Sequence, residues 1–277
     1  MKNLTLKGFL FFAALNSSCT SIPKNPWSEQ TTPFAGDARA VGSTSSGCLS
    51  GGISLPPLGE GFQVMRPSRK HYYGHPELIH FLEDMGHTIH KNKLLPLLIG
   101  DLSQARGGPM PPGAHRSHQT GIDVDLWYWQ PSGPSVLTLE QTENLPAPML
   151  VSSNPQNVEW SSEKTRLLGL VATDSRVDRV FVNPAIKREL CKNAKGAEWL
   201  PRIRPWWGHA EHFHVRLKCP KDNPLCVETP PIPAGDGCDA TLDWWFTEEA
   251  MNPKKAESAA AESGPKVPEA CLPLLHE

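Results

Sequence analysis

Gly113-Ala-His-Arg-Ser-His-Gln-Thr-Gly-Ile-Asp-Val-Asp-Leu-Trp127 and Trp206-Trp-Gly-His-Ala-Glu-His-Phe-His-Val-Arg-Leu-Lys-Cys219 decide how this chain is read. Each couples histidines to an alternating apolar run. Ile122-Asp-Val-Asp-Leu-Trp-Tyr-Trp129 and His212-Phe-His-Val-Arg-Leu217 have the period of two that marks a strand. Five of the eleven histidines fall in these two segments. Imidazole and carboxylate groups on rigid elements are what a zinc site needs, and an open zinc site is usually hydrolytic.

The spacing within each segment sharpens this. Six residues separate His118 from Asp125, and Thr120-Gly121 permits a tight turn between them. His212 and His214, two apart on a strand, point to one face. Two such strands side by side bring His118, Asp125 and His214 around one ion and leave a fourth tetrahedral position for water. That marks a catalytic zinc; a structural one favours four ligands rich in cysteine. A lone buried histidine is ordinarily hydrogen-bonded core, but two clusters at this spacing are harder to dismiss.

Around these segments the pattern is α+β. Pro76 opens a helical repeat (Leu78, Ile79, Leu82, Met85, Ile89) that runs to His90. Leu94–Asp101 reads as a strand broken at Pro96, and residues 131–160 as a polar excursion. Glu163–Ala172 reads as a helix, Val177–Val182 as a strand, and Pro184–Cys191 as a helix opened by its proline. No βαβ rhythm appears, so the expected architecture is a central antiparallel sheet carrying the zinc site, flanked by helices and long disulfide-stapled loops.

Of the 277 residues, 39% are hydrophobic and 20% charged, ordinary values for a globular protein able to bury a core. The net charge of −2 gives no support for a nucleic-acid or anionic-membrane partner. Lys2, Lys7 and the apolar run Gly8–Leu15 read as an export signal over residues 1–19, too short to span a bilayer. Cys19 follows small residues as a lipid anchor would, but Asn16 stands where such signals carry Leu. Residues 20–47 are Ser/Thr/Gly/Pro-rich and read as a flexible arm, 48–250 as the catalytic domain, and 251–277 as a low-complexity tail. The six cysteines beyond Cys19 imply disulfides in an exported chain, although six allow fifteen pairings. Cys219 and Cys226 are near enough to close a short loop. Cys48 and Cys271 lie near the two ends and would tie them together.

The same segments closely resemble the penicillin-insensitive murein endopeptidase family. This family shares a zinc peptidase superfamily with lysostaphin, D-Ala-D-Ala metallopeptidases and the hedgehog signalling domain. The shared signature, His-x6-Asp then His-x-His, is here His118–Asp125 and His212–His214. The match extends through His115-x-x-His118-Gln-x-Gly, Asp123-Val-Asp125, Phe181-Val-Asn-Pro-Ala-Ile-Lys187, His214-Val-Arg-Leu-Lys-Cys-Pro220 and Gly235-Asp-Gly-Cys238.

The resemblance implies one zinc per chain on His118, Asp125 and His214, with His115 as an extra or conditional ligand. It makes His212 the catalytic histidine, assisted by His209. It pairs Cys48 with Cys271, Cys191 with Cys238 and Cys219 with Cys226. It implies a periplasmic enzyme that cuts the D-alanyl–meso-diaminopimelyl cross-links of peptidoglycan. Some family members hold a second zinc at a dimer interface through an Asp-x-x-His; residues 147–160 contain neither residue type, so no second metal and no dimer are inferred.

Strand alternation puts His212 on the ligand face, as a general base requires. Glu211 has the spacing of the base in the dipeptidase branch but faces away in a regular strand. Asp123 shares the face of Asp125 and suits a partner for a ligand histidine. Trp206 and Trp207 either wall a cleft or pack in the core. Arg116, Arg204 and Arg216 either meet substrate carboxylates or form surface ion pairs. Rival functions are a D,D-carboxypeptidase or dipeptidase of the superfamily, and a non-enzymatic zinc-containing cell-wall-binding module.

Overall fold

A computed structural model describes residues 25–111, 115–128, 136–147, 149–152, 158–251 and 267–276. The expected export signal, with Cys19, lies outside the described residues, as do 252–266 of the tail.

In chain order the elements are β1 (Arg39–Ser43), β2 (Ser46–Ser50), β3 (Ile53–Ser54), β4 (Leu58–Gly59), β5 (Phe62–Val64), β6 (Tyr73–Gly74) and α1 (Pro76–Lys91). There follow β7 (Leu97–Ile99), β8 (Asp123–Trp127), α2 (Leu139–Asn144), α3 (Ser162–Thr173), β9 (Val177–Val182), α4 (Pro184–Asn193), β10 (Ile203–Pro205) and β11 (His212–Leu217). Seven strands form one sheet in the order β10-β9-β11-β8-β7-β5-β4. Its centre is antiparallel, as expected: β11 pairs antiparallel with both β9 and β8. The outer pairs β10–β9 and β5–β7 are parallel, so the whole sheet is mixed.

The helices follow from local chemistry. α1 starts at Pro76, whose missing N–H costs nothing in a first turn, and the His75 ring accepts from the Glu77 N–H. Its apolar stripe, Leu78, Ile79, Leu82, Met85 and Ile89, is buried in the main core. Ser161 caps α3, and Asn183 followed by Pro184 caps α4. α2 lies in the stretch read as an excursion. Thr138 and Gln141 form a reciprocal capping box there, a signal the apolar pattern did not reveal because only Thr142 of that helix is buried.

Within the stretch expected as an arm, residues 39–43 form β1, and Trp27, Ala40 and Val41 are buried. Trp27, Val41, Cys48, Cys271 and Leu274 make a small apolar cluster joining the two ends of the domain. Cys48–Cys271 lies inside it; Cys191–Cys238 and Cys219–Cys226 complete the three disulfides. Among the described residues, no helix is long and apolar enough to cross a membrane.

Candidate metal centre

Register is what assembles the site. β8 and β11 pair so that Asp125 stands opposite His214, Asp123 opposite Arg216, and Trp127 opposite His212. Both strands sit at the middle of the sheet, where neighbours on either side restrict them. The turn before β8 brings His118 back over this face. Gly121 makes that turn at φ +70, and a Cβ there would lie 2.7 Å from Leu49 Cδ2 and 2.9 Å from the His75 nitrogen. His118 is itself left-handed at φ 68, and its backbone N–H donates to Asp123 Oδ2 at 3.1 Å. A non-glycine residue held there is strained, and such strain gathers at functional sites.

The donor atoms converge on Asp125 Oδ1. His214 Nδ1 lies 3.1 Å from it, His118 Nε2 3.4 Å and His212 Nε2 3.5 Å. Zinc bonds of about 2.0–2.1 Å in a tetrahedron place neighbouring donors roughly 3.3 Å apart. The spacing therefore fits a cation of that size. Orphaned atoms add to the fit: both His118 ring nitrogens and Asp125 Oδ1 are buried without a hydrogen-bond partner. A buried polar group left so is costly unless something coordinates it.

His115 is also drawn in. His115, His118 and Asp125 each offer a ligand atom within 4.8 Å of the others. His115 Nδ1 is 3.4 Å from Asp125 Oδ2, but its Nε2 is engaged by Asp101 Oδ2 at 2.9 Å. Its side chain is 24% exposed, against 0% for His118 and 5% for His214. We therefore place His115 at the rim of the donor set and the other two at its centre.

Asp123 is the partner that strand parity suggested. Its Oδ1 lies 3.2 Å from His214 Nε2, on the far side of that ring from Asp125, and accepts from Arg216 Nε at 2.8 Å. Burial alone would raise this carboxyl, but Arg216 and His214 hold it well below the usual carboxylate range. Burial acts against a protonated His214, yet Asp123 and Asp125 lift it to about 9. Arg216 thus serves Asp123 and also stacks over Phe181, 5.2 Å from its ring centre.

His209 precedes β11 in a left-handed conformation, φ 53, with its ring 5.1 Å from that of His212. Its Nδ1 lies 2.7 Å from the Trp207 carbonyl oxygen. A carbonyl only accepts, so Nδ1 carries the proton and Nε2 presents a lone pair. Burial, then the neighbouring His214 and His212, push the ring down to about 3 and keep it neutral.

Several neighbours escaped the sequence reading. A cleft of about 140 Å³ opens beside the donor set, lined by Arg66, Arg69, Asp101, Trp127, Glu211 and His212 among others. Asp101 ends the apolar run expected as a strand and gathers Arg69 at 2.9 Å, His71 at 3.3 Å and His115 at 2.9 Å. Glu211 was expected to face away from His212, yet both line this cleft. Glu211 stands one residue before β11, so strand alternation does not govern it. Trp206 and Trp207 are exposed rather than core. A larger hollow of about 870 Å³ beside α1, α3 and α4 is lined by no histidine among the described residues.

Residues 40–276 match the family model described as penicillin-insensitive murein endopeptidase. A protein of that name from Klebsiella pneumoniae is 39% identical over 270 residues, covering 95% of this chain and 96% of its own. Another from Salmonella arizonae is 39% identical over 264 residues, 94% of each chain. A third, from Yersinia enterocolitica, is 39% identical over 256 residues, 90% of each.

Proposed function

The chain belongs to the penicillin-insensitive murein endopeptidase family, and we propose that it is a zinc-dependent endopeptidase cutting the D-alanyl–meso-diaminopimelyl cross-links of peptidoglycan. The observation that carries this reading is the convergence of His118, His214 and His212 on one buried carboxylate oxygen of Asp125. The three disulfides suit an oxidising compartment, and an export signal over residues 1–19 delivers the enzyme to the periplasm.

His118, Asp125 and His214 would hold the ion, and His115 would join them conditionally. Zinc held there would polarise the scissile carbonyl and lower the pKa of a water to ~7. Asp123 fixes the His214 ring and keeps its outer nitrogen protonated, leaving Nδ1 for the ion. His212 takes a proton from the attacking water and returns it to the leaving amine. His209, with its proton committed to Trp207, orients His212 through a lone pair rather than donating to an oxyanion. Penicillin insensitivity is the expected consequence, because β-lactams acylate serine nucleophiles and no serine lines the cleft among the described residues.

The test is a digest of purified cross-linked muropeptide dimers, with metal content measured on the same sample. Conversion of dimers to monomers, lost to chelator and restored by zinc, is expected. Release of D-Ala alone would make the protein a carboxypeptidase. Full activity in metal-free protein would overturn the zinc assignment.

A further inference from the structure

Beyond the donor set, on the β9 side, lies a patch of aromatic rings that the hydrolytic mechanism does not use. Trp206 follows β10 directly and is 48% exposed; Trp207 is 40% and Trp244 38% exposed. Trp245 packs between them, its ring 6.2 Å from Trp206, 4.7 Å from Trp207 and 5.2 Å from Trp244. The rings meet at steep angles, 52° to 80°, so each braces the next. Trp207 is fixed further by its Nε1–H, which donates to the Ala250 carbonyl at 2.7 Å. Isolated exposed apolar residues need no explanation, but a braced cluster of indoles marks a binding surface. Rigid rings supply contact area at little cost in conformational entropy.

The patch is continuous with the donor set. Phe181 bridges them, its ring 5.5 Å from His214 and 5.7 Å from Trp206. On the opposite, β7 side the cleft is lined by Arg66 and Arg69. A cross-linked murein strand has matching parts: charged stem peptides at the scissile bond and uncharged saccharide rings a few residues away. An extended peptide advances roughly 3.4 Å per residue, so a stem of three or four residues spans on the order of 10 Å, within reach of the ring-to-ring steps above. A pyranose presents an apolar face of C–H bonds while its equatorial hydroxyls stay hydrated, the complement of an indole face whose edge is wet.

We infer that Trp206, Trp207, Trp244 and Trp245 form a platform for the saccharide rings of the glycan strand, seating the polymer while its peptide cross-link enters the site. This rests on the murein reading above and names a second part of the same substrate. It assigns the exposed indoles a role in capture rather than in chemistry.

The experiment compares the zinc-loaded wild type with Trp206→Ala and Trp244→Ala, after equal thermal midpoints show that all are folded. Kinetics are run on intact sacculi and on sugar-free cross-linked peptide dimers, and co-sedimentation on peptide-free glycan strands. For sacculi, KM should rise about tenfold with kcat within twofold, whereas kinetics on the sugar-free dimer should not change. Sedimentation with glycan strands should fall in proportion. Equal losses on both substrates, no loss on either, or undiminished glycan sedimentation in both variants would each overturn the platform. If no form cleaves either substrate, the hydrolase reading fails, and the glycan sedimentation still decides this one.

Discussion

His214 and Asp125 face each other across the central strand pair, with His214 Nδ1 3.1 Å from Asp125 Oδ1. Cross-strand register, rather than sequence proximity, sets that distance. Replacing the carboxylate by its amide isostere, Asp125→Asn, keeps the shape and removes the charge that a cation needs. Zinc per chain should drop from about one to near zero by elemental analysis, and dimer cleavage should fall at least about 1,000-fold, as for loss of the metal itself. Retained zinc in Asp125→Asn would remove Asp125 from the ligand set.

Asp123 acts through a histidine, so its loss should read out differently. In Asp123→Asn, His214 loses the charge that holds its ring, and Arg216 loses its partner. Zinc affinity should fall about 10- to 100-fold, while kcat at saturating zinc recovers most of the wild-type value. Competition with a coloured chelator measures the first and steady-state kinetics the second.

His212 and Glu211 both border the cleft, and the proposed mechanism gives the role of base to His212. His212→Ala should lower kcat by about 100- to 10,000-fold with zinc retained. Glu211→Gln should stay within about threefold. The reverse pattern would transfer the role of base to Glu211.

The Cys48–Cys271 bridge spans a sequence separation of 223. In the chain-entropy model, closing a loop of that length contributes about 5 kcal/mol. The double variant Cys48→Ala/Cys271→Ala should therefore lose several kcal/mol in denaturant unfolding. Cys219→Ala/Cys226→Ala, which opens a separation of only 7, should lose less.

Lys187 is fully buried, and its Nζ donates to the carbonyls of Leu200 at 2.9 Å and Asp236 at 2.5 Å. Burial, then Arg204, bring its ammonium down from 10.5 to about 8. Below pH 8 both folded and unfolded chains carry the proton, and folding bears the whole cost of burying it. Between about 8 and 10.5 the unfolded chain binds more protons, so stability rises with pH, by up to about 3 kcal/mol at 1.36 kcal/mol per unit. Lys187→Met should be less stable at every pH, because two carbonyls lose their donor, and should lack this rise. Urea titrations at pH 7.5 and 10 compare the two slopes.

Much of this was legible along the chain because it depends on neighbours in sequence. The spacing of Leu78, Leu82, Met85 and Ile89 set α1. Proline at 76 and 184 set two helix starts. Alternation in 122–129 and 212–217 set the two strands that carry the donor set. The histidine and aspartate spacing named the residues that meet.

What the line of residues did not contain was distance between remote segments. Asp101, Arg66 and Arg69 come to the cleft because β7 pairs with β8 and β5 with β7. The indoles of Trp244 and Trp245 reach Trp207 and Trp206 because the chain folds back after Cys238. β1 joins the fold because Trp27, Val41, Cys48 and Cys271 share one apolar cluster. Periodicity records which face of an element avoids water; only burial of that face against a particular neighbour decides what it meets.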